Sequence, residues 1–568
     1  MAKHNDKEEK KMERCLTSKT DNCKNCYKCI RSCPIKAISF ENNRASIIHE
    51  DCVLCGTCYN VCPSKLKVIR NDLSKVKQML KSDKVIVSLA PSFVSYYEDS
   101  DIGCMTATLK KLGVYDVEET AIGATIVKKA YDAMLNEGRD VLISSCCHSI
   151  NTLILKHYPE CKQYLADVLS PMCAHGLNIK KRYEDAKVVF IGPCIAKKDE
   201  GDHSQYIDAV LTFEELDQWL EEENVTLLTT KDKKKQERSK ARLFPTGGGI
   251  IRTMECTSKN HSYIVVDGMN EAIATLQDLK EGKIHNCFIE MSACKGSCIC
   301  GPVARKRNNS QAMNSMLINE YAGSEDFEYS MTELADIVTT YDRSPIVHRQ
   351  PSEEEINEML KKMGKENVED RLNCGCCGYD TCHDKAVAIL KGYANIDMCL
   401  PLLMEKSQSL ANNIINNTPN GLIVLDEELN IGLINNMMCR LVGIPSPDLL
   451  INQHIASILD PTDFLEVLEG KQIFAKSEYL KEYQRYVVKT ISYDRKFKVL
   501  VCVFRDVTNE EESRNSYQEL VKNTVSITDS LLEKNMRSVH EIASLLGETT
   551  AETKIALEKL KSLVKSDE

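Results

Sequence analysis

The sequence lacks long apolar runs and an excess of positive charge. No stretch approaches eighteen consecutive apolar residues, so we expect no membrane span. The net charge of −10 argues against a nucleic-acid partner, because phosphates repel an acidic surface. The first residues, MAKHNDKEEKKMER, contain no apolar segment of the kind found in secretory signals, so we expect a cytoplasmic protein. A chain of 568 residues exceeds one hydrophobic core, and its length favours three or four domains.

Cysteine is abundant, with 27 residues. Because thiols in the cytosol stay reduced, this density favours metal ligation over disulfides. Scattered, buried and unreactive thiols are the alternative, but they predict irregular spacing. Most of these cysteines instead fall into three tight groups.

The first group repeats the pattern C-x2-C-x2-C-x3-C-P in residues 23–34 and 52–63. This spacing binds 4Fe–4S clusters, and the fourth cysteine of each run ligates the other cluster. A zinc site would use one pair of C-x2-C loops and leave the remaining cysteines idle. The segment resembles bacterial two-cluster ferredoxins, which transfer electrons. We expect one cluster on Cys23, Cys26, Cys29 and Cys62, and a second on Cys52, Cys55, Cys58 and Cys33.

From about residue 84, apolar strand-like runs alternate with helix-like stretches, which predicts an α/β domain. The runs at 85–91, 141–146 and 188–194 end in small residues and, in two cases, cysteine. In open α/β sheets, sites form at the carboxyl ends of the strands. The loops of interest are S-S-C-C-H (144–148), G-P-C-I-A-K-K-D-E (192–200) and M-S-A-C-K-G-S-C (291–298).

In order and in local sequence, these loops resemble the three signature segments of the FeFe hydrogenase catalytic domain. A-P-S (90–92) and F-P-T-G-G-G-I-I-R (244–252) also match, and the resemblance covers roughly residues 20 to 320. It implies an H-cluster, in which Cys298 bridges a 4Fe–4S cluster to a di-iron subsite with carbonyl, cyanide and a bridging dithiolate. The implied ligands of that 4Fe–4S cluster are Cys147, Cys194, Cys294 and Cys298.

The resemblance also implies roles for neighbouring residues. Cys146 matches the thiol that passes protons to the bridging amine, and Lys197 matches the lysine whose ammonium bonds an iron-bound cyanide. Glu200 matches a carboxylate near that lysine, while Pro91 and Ser92 should line the same pocket. Heterolytic cleavage of dihydrogen requires a Lewis-acidic metal and a base for the proton. Without the adjoining G-P-C, the lysine and glutamate would be interpreted as a solvated pair at a helix start.

Several positions depart from the strongly active relatives. Gly192 and Ser292 stand where methionines are usual, and Met172 replaces a glutamine near the cyanide and carbonyl ligands. Ser292 and Met172 should still border the cofactor. The helix that usually supplies a relay glutamate reads T-I-V-K-K (125–129), and a relay serine is replaced by Ala166. A lysine cannot replace an acid relay at neutral pH without a large pKa shift.

We therefore predict slow turnover with hydrogen binding retained. Candidates for another proton path are Cys173, Glu118 and Glu119.

A polar connector, about 323–370, with one helix is expected before the third cysteine group. N-C-G-C-C-G-Y-D-T-C (373–382) and M-C-L-P (398–401) give C-x2-C-x4-C-x16-C, which matches a small 4Fe–4S domain. Its predicted ligands are Cys374, Cys377, Cys382 and Cys399. Cys376 is an alternative to Cys377, and zinc is an alternative metal.

Residues 416–435 predict a β-hairpin, and strands are predicted at 486–492 and 497–508. This order resembles a PAS domain. It carries no haem or flavin signature, and His454 is expected to be structural. The segment 509–563 predicts helices for dimerisation or signal output. His540 resembles a phosphoacceptor histidine, but no kinase ATP-binding motif follows.

The sequence thus predicts a multidomain α+β and α/β protein. The expected domains are 1–80 (two-cluster ferredoxin), 81–345 (H-cluster domain), 346–404 (small 4Fe–4S domain), 405–510 (PAS) and 511–568 (C-terminal helices). We expect a slow, hydrogen-sensing FeFe hydrogenase that oxidises H2 reversibly and passes electrons or redox state to the PAS domain. A metabolic ferredoxin-linked hydrogenase and a non-catalytic iron–sulfur scaffold are the alternatives. Expected partners are H2 and protons, ferredoxin or another redox carrier, hydrogenase maturation factors, a serine/threonine kinase or phosphatase, and a second copy in a homodimer, with no nucleic acid and no membrane.

Overall fold

The computed structural model describes residues 13–19, 22–230, 239–256, 258, 260–304 and 309–520. The chain divides into two compact units, Met1–Cys399 and Leu400–Glu568. Within the described ranges, no helix is long and apolar enough to cross a membrane. The predicted output helices beyond residue 520, including His540, lie outside the described residues.

The first part of unit 1 consists of two small antiparallel ladders and two one-turn helices. Its elements are β1 (Leu16–Ser18), α1 (Lys28–Ser32), β2 (Ile38–Glu41), β3 (Arg44–Ile47), α2 (Thr57–Val61) and β4 (Lys67–Ile69). Strand β1 pairs with β4, and β2 pairs with β3. Each helix follows a residue in the left-handed region, Tyr27 at φ 53° and Gly56 at φ 74°. These turns bend the backbone between the second and third cysteines of each motif, as a loop that encloses a cluster requires.

The central part of unit 1 is an α/β fold with two parallel sheets, as predicted. Its strands are β5 (Val85–Leu89), β6 (Asp116–Glu119), β7 (Val141–Ile143), β8 (Lys187–Gly192), β9 (Ala209–Thr212), β10 (Ser262–Asp267) and β11 (Cys287–Ser292). One sheet has the order β6-β5-β8-β9 and the other β10-β11-β7. All five residues of β5 are buried. A parallel strand covered on both faces requires such a nearly continuous apolar run, and the one polar side chain, Ser88, is hydrogen-bonded to Thr120 and His175.

Helices cover these sheets and connect successive strands. They are α3 (Leu73–Met79), α4 (Phe93–Tyr96), α5 (Ile102–Lys111), α6 (Ala121–Asn136), α7 (His148–His157), α8 (Pro171–Arg182), α9 (Ala196–Asp202), α10 (Phe213–Glu222), α11 (Gly249–Thr253), α12 (Met269–Lys280) and α13 (Gln311–Tyr321). Helices α7 and α9 begin within the first two signature segments, at His148 and Ala196, so both segments lie at strand-to-helix turns.

The predicted polar connector contains the one expected helix, α14 (Glu353–Lys362), which starts with a capping box at Ser352. Before that helix, the chain lies along the α/β part. The Leu169 amide donates to Ile337 O at 2.8 Å, and the Thr339 amide donates to Asp167 O at 2.9 Å. This segment therefore completes the wall of the α/β part. The small cysteine-rich segment that follows contains α15 (Cys382–Leu390).

Unit 2 is a five-stranded antiparallel sheet with short helices on it. Its elements are α16 (Leu400–Asn417), β12 (Gly421–Leu425), β13 (Ile431–Ile434), α17 (Asn436–Leu441), α18 (Thr462–Leu468), β14 (Ile473–Leu480), β15 (Arg485–Asp494), β16 (Val499–Asp506) and α19 (Thr508–Leu520). The order β13-β12-β16-β15-β14 contains the predicted hairpin and both predicted later strands. His454 caps a short 3-10 helix, its Nδ1 accepting from the Ala456 amide at 3.2 Å, which is a structural role.

Candidate active site and iron–sulfur centres

The three signature loops converge at the carboxyl ends of β7, β8 and β11, which places four predicted ligands together. The pKa of Cys294 is raised well above its ordinary value, first by burial and then by the charges of the other three thiolates. Those three are Cys147, Cys194 and Cys298. Burial and its neighbours likewise raise the pKa of Cys194 to about 11. Four thiols that act on one another inside the protein match the donor set of a cubane cluster.

Lys197 reaches the same site from the first turn of α9. Its Nζ donates to Cys146 O at 3.1 Å, to Ser170 Oγ at 3.1 Å and to Glu200 Oε2 at 2.5 Å. Burial lowers the pKa of Lys197, but the charges of Glu200 and Cys173 outweigh it and leave the pKa above its ordinary value. The lysine is therefore a fixed, buried cation, as required for a contact with an anionic group.

The Cys146 thiol lies beside this lysine and is held by an aromatic hydroxyl. Tyr131 Oη lies 3.3 Å from Cys146 Sγ and 2.9 Å from Ser145 Oγ. Burial raises the pKa of Cys146 to about 12, so the thiol keeps its proton at neutral pH. The predicted proton carrier, Cys146, is thus present in its protonated form and in contact with the Tyr131 hydroxyl.

Three residues predicted to line or border the site present features that suit a bound group. Ser92 is 1% exposed, and among the described residues its Oγ has no hydrogen-bond partner. Buried hydroxyls without partners are rare, so an acceptor from outside the chain fits this position. Met172 is 1% exposed, and Pro91 is also buried. The residues of the site therefore fit the di-iron part of an H-cluster as well as its cubane part.

The two positions that lack the usual methionines differ in their surroundings. A Cβ placed on Gly192 would lie 2.7 Å from the ring of Phe190 and 3.1 Å from Ala90 Cβ. The phenyl ring therefore occupies the space that a side chain at position 192 would need. Ser292 instead joins a hydroxyl pair, since Ser297 Oγ donates to Ser292 Oγ at 3.1 Å.

The positions discussed for proton transfer are mostly engaged in ion pairs. Lys128 Nζ donates to Asp326 Oδ1 at 2.5 Å and to Thr253 O at 2.9 Å, and burial lowers its pKa. Glu118 accepts from Arg182 and lies 3.1 Å from His175, while Glu119 pairs with Arg242 inside the core. The exception is the thiol of Cys173, whose Sγ lies 3.6 Å from Glu200 Oε1.

The ferredoxin cysteines group in the crossed arrangement that the motif predicts. Burial raises the pKa of Cys29, and the charges of Cys62 and Cys23 add to it. Burial raises the pKa of Cys33 to about 12, and the charges of Cys55 and Cys52 add to it. Each fourth cysteine therefore faces the other motif.

The second of these groups adjoins the hydrogenase-type site. The charge of Cys55 is among those that raise the pKa of Cys294. A Cβ on the neighbouring Gly56 would lie only 2.5 Å from Pro302 Cβ and 3.0 Å from Ile195 Cδ1. The backbone of this ferredoxin loop therefore lies directly against Ile195 of the second signature loop and against Pro302, just beyond the third, which suits electron transfer between two adjacent centres.

A buried network of charges also ties the ferredoxin part to α9. Lys198, with a fully buried side chain, donates to Asp72 at 2.8 Å and to Glu215 at 2.9 Å. Arg70 joins Asp72 to Asp202, at 2.9 Å and 2.7 Å. The helix that carries Lys197 on one side is thus fixed on its other side.

The third cysteine group lies on the ferredoxin part. Arg31 donates to Cys376 O at 3.1 Å and Lys36 to Gly378 O at 3.0 Å. Cys377, Cys382 and Cys399 act on one buried lysine, Lys385. The pKa of Cys374 is lowered, mainly by the backbone N–H of Cys376, which favours a thiolate at Cys374.

Some residues around the site carry no signal in the sequence. Tyr131 and Ser170 bond to Cys146 and Lys197, but neither belongs to a cysteine motif. Tyr341 comes from the predicted connector and donates to Val168 O at 2.7 Å. A cavity of about 530 Å³ lies between this segment and the site and includes Ser170, Cys173, Glu200 and Tyr341 among its lining residues.

Comparison with known families matches four segments of the chain. Residues 83–302 match the iron only hydrogenase large subunit, C-terminal domain, and residues 22–66 match the 4Fe-4S dicluster domain. Residues 370–401 match a putative Fe-S cluster family, and residues 410–512 match the PAS fold. The predicted resemblance to PAS-containing FeFe hydrogenases and the predicted fold class are therefore confirmed.

Individual relatives are distant. The large subunit of the periplasmic [Fe] hydrogenase of Nitratidesulfovibrio vulgaris is 26% identical over 297 residues, covering 40% of this chain and 70% of the relative. An apo variant of [FeFe]-hydrogenase HydA1 from Chlamydomonas reinhardtii is 14% identical, with a TM-score of 0.37, and covers 45% of this chain and 91% of its own. The PAS domain of an HTR-like protein from Haloarcula marismortui is 16% identical, with a TM-score of 0.15, and covers 18% of this chain and 94% of its own.

Proposed function

We propose that this protein is a slow, hydrogen-sensing FeFe hydrogenase that reports the oxidation of H2 through 4Fe–4S clusters to its PAS domain. The observation that carries the proposal is the convergence of four thiols with Lys197 and a protonated Cys146. In it, Cys147, Cys194, Cys294 and Cys298 hold the H-cluster. When bound, that group supplies the metal chemistry for heterolytic cleavage and formation of dihydrogen.

The side chains around that group bind it and move protons. The Lys197 ammonium would stabilise an anionic ligand of that group, such as a cyanide, by exchanging one of its three present acceptors for it. Ser92 Oγ, which has no partner among the described residues, supplies a further donor. The Cys146 thiol contacts Tyr131 Oη and would serve as the proton donor and acceptor beside that group. Glu200 holds the lysine in place through their ion pair.

We attribute slow turnover to the proton path beyond Cys146, where the usual relay groups are replaced or engaged. At the usual relay position Lys128 is bonded to Asp326 and to a backbone carbonyl, so it has no carboxyl proton to pass on. Ala166 has no hydroxyl, and Glu118 and Glu119 are held by arginines. The side chains near the site that border the open cavity include Cys173, Glu200 and His148. We infer that protons leave more slowly than in a metabolic enzyme.

Electrons take a different route, through the ferredoxin part. The cluster proposed on Cys52, Cys55, Cys58 and Cys33 adjoins the H-cluster through Gly56 and Pro302. The other ferredoxin cluster and the cluster on Cys374, Cys377, Cys382 and Cys399 extend this route. The last of these precedes the PAS domain in sequence, so we propose that it conveys the redox state to unit 2.

The further partners follow from this assignment. We propose ferredoxin or another redox carrier as electron partner, and maturation factors that install the di-iron subsite. A serine/threonine kinase or phosphatase would receive the signal from a homodimer. The cysteine content favours the cytoplasm, although the relative from Nitratidesulfovibrio vulgaris is periplasmic by name.

The proposal is tested by comparing isotope exchange with net turnover. Anaerobically matured protein is exposed to D2 in H2O, and HD formation is measured beside the reduction of a viologen dye. We expect HD formation with slow dye reduction, and loss of both in Cys146→Ala. The matched control is Cys104→Ala, a partly buried thiol on α5 outside the site. Fast dye reduction would identify a metabolic hydrogenase, and no exchange after maturation would favour an iron–sulfur scaffold.

A further inference from the structure

Lys385 is a buried cation inside the small cysteine-rich segment, and nothing in the hydrogenase chemistry above uses it. Its residue is 1% exposed. It lies on α15, which begins at Cys382 and is fixed by a capping box between Thr381 and Asp384. Residues three apart share one face of a helix, so Lys385 lies on the face of the predicted ligand Cys382.

The ammonium of Lys385 points toward the remaining ligands of that centre. Its Nζ donates to Ile396 O at 3.2 Å, three residues before Cys399. Burial lowers its pKa, and the charges of Cys377, Cys399 and Cys382 oppose that effect. A charged group this deep in a protein requires a compensating anion. The thiolates of Cys377, Cys382 and Cys399, as ligands of the proposed cluster, would provide that anion.

The segment also packs on the ferredoxin part beside a second set of thiols. Tyr379 is 2% exposed and belongs to the same hydrophobic core as Cys33. Burial raises its pKa, and the charges of both Cys377 and Cys33 add to this. A single buried ring therefore separates a ligand of the small segment from a ligand of the ferredoxin part. The two centres are neighbours between which an electron can pass.

We propose that Lys385 makes the cluster of the small segment the electron-holding centre of unit 1. This rests on the proposed function, because it requires a 4Fe–4S cluster on Cys374, Cys377, Cys382 and Cys399. A reduced cluster carries one more negative charge than an oxidised one, and a nearby buried cation stabilises the more negative state. One electron leaves a ferredoxin cluster, which is oxidised, and enters this cluster, which is reduced, while no bond is formed or broken.

The test is a redox titration of the full-length, cluster-loaded chain, followed by electron paramagnetic resonance. The signal that disappears in Cys382→Ser identifies the cluster of the small segment. We expect this cluster to have the highest midpoint potential of the 4Fe–4S centres in unit 1. In Lys385→Met its ratio of reduced to oxidised form should fall at least tenfold at the wild-type midpoint. That corresponds to about 59 mV toward negative potential for one electron.

Controls separate the charge from the fold. Lys391→Met makes the same substitution at the C-terminal cap of α15, where the side chain is partly exposed, and should leave the midpoint unchanged. Lys385→Gln keeps a donor for Ile396 O but removes the charge, so it should shift the midpoint as Lys385→Met does. An unshifted midpoint in either Lys385 variant overturns the inference. Loss of the cluster in both would also overturn it, because Lys385 would then be structural.

Failure of the ligand assignment gives a different result. If wild-type chain contains zinc or no metal in the small segment, Cys382→Ser removes no signal and the titration shows only the remaining clusters. That outcome overturns the assignment and the inference together. If Cys382→Ser removes the signal but the Lys385 variants leave its midpoint potential unchanged, the ligand assignment stands and only the inference about Lys385 is overturned.

Discussion

Because Gly56 lies against Pro302, we predict that a methyl group added at residue 56 will slow electron transfer between the ferredoxin part and the proposed H-cluster. In Gly56→Ala the new Cβ would start 2.5 Å from Pro302 Cβ, and residue 56 has φ 74°. Carbon atoms in contact prefer about 3.5–4.0 Å, so the two loops must separate by about 1 Å. The substitution therefore combines backbone strain with a steric clash.

A matched variant separates the loss of stability caused by backbone strain from the loss caused by the steric clash. Gly138 also has a positive φ, 91°, but a Cβ there meets nothing within 4 Å. Gly138→Ala should thus cost only the backbone strain, about 1–2 kcal/mol. Gly56→Ala adds the overpacking of a filled site, about 1–3 kcal/mol more. Because both replace glycine by alanine, their effects on the unfolded chain are the same.

The assay is denaturant unfolding of the two variants beside wild type, with the first transition compared because a multidomain chain is not two-state. Electron transfer is followed as reduction of the ferredoxin clusters by H2. Gly56→Ala should be the less stable variant and should slow this reduction while HD formation is retained. If the two variants lose equal stability and reduce their clusters equally fast, the loops do not approach each other as described.

Three further predictions concern buried polar groups. Lys198→Met should lower the free energy of unfolding by about 3–5 kcal/mol, because it leaves Glu215 buried without its cation and leaves Asp72 with Arg70 alone; a smaller loss in denaturant melts would contradict a fixed α9. Burial raises the pKa of Glu290 to about 7 from 4.5, so the folded state holds its proton more tightly. The protonated Glu290 contributes up to about 3 kcal/mol to the free energy of unfolding. This contribution is complete below pH 4.5 and is lost as the pH rises through about 7. Thermal melts of Glu290→Gln across this range should lack that pH dependence, and an unchanged profile would refute it. Tyr131→Phe should slow HD formation with the clusters intact, whereas a wild-type rate would show that its hydroxyl takes no part.

The cysteine groups were the part of the site that could be proposed most directly from sequence, because short motifs fix local geometry; their role as ligands stays a prediction. In the ferredoxin part, three cysteines within seven residues leave few ways to enclose a cluster, and the structure brings Cys62 to Cys29 as the motif requires. Lys197 was also predictable, since it lies three residues from Cys194 in the same strand-to-helix turn. The strands were found from their apolar runs, which a buried parallel sheet requires.

Contacts between distant residues could not be predicted in this way. Lys128 forms an ion pair with Asp326, which lies 198 positions away along the chain, and no local sequence pattern predicts this contact. The segment around Tyr341 is polar and carries no helical or strand periodicity, yet its backbone bonds along residues 167–169. Its position depends on main-chain hydrogen bonds, which hydropathy does not encode. The same holds for Phe190, whose ring occupies the space beside Gly192.

The most direct test of the central claim is infrared spectroscopy of the anaerobically matured chain, titrated with hydrogen. The account predicts carbonyl and cyanide bands that shift under H2, together with slow turnover in a parallel hydrogen-oxidation assay. In Lys197→Met the bands should be weak or absent, since the cation proposed to hold a cyanide is gone. Properly matured wild-type protein that shows no such bands would contradict the account and leave an iron–sulfur scaffold as the better description.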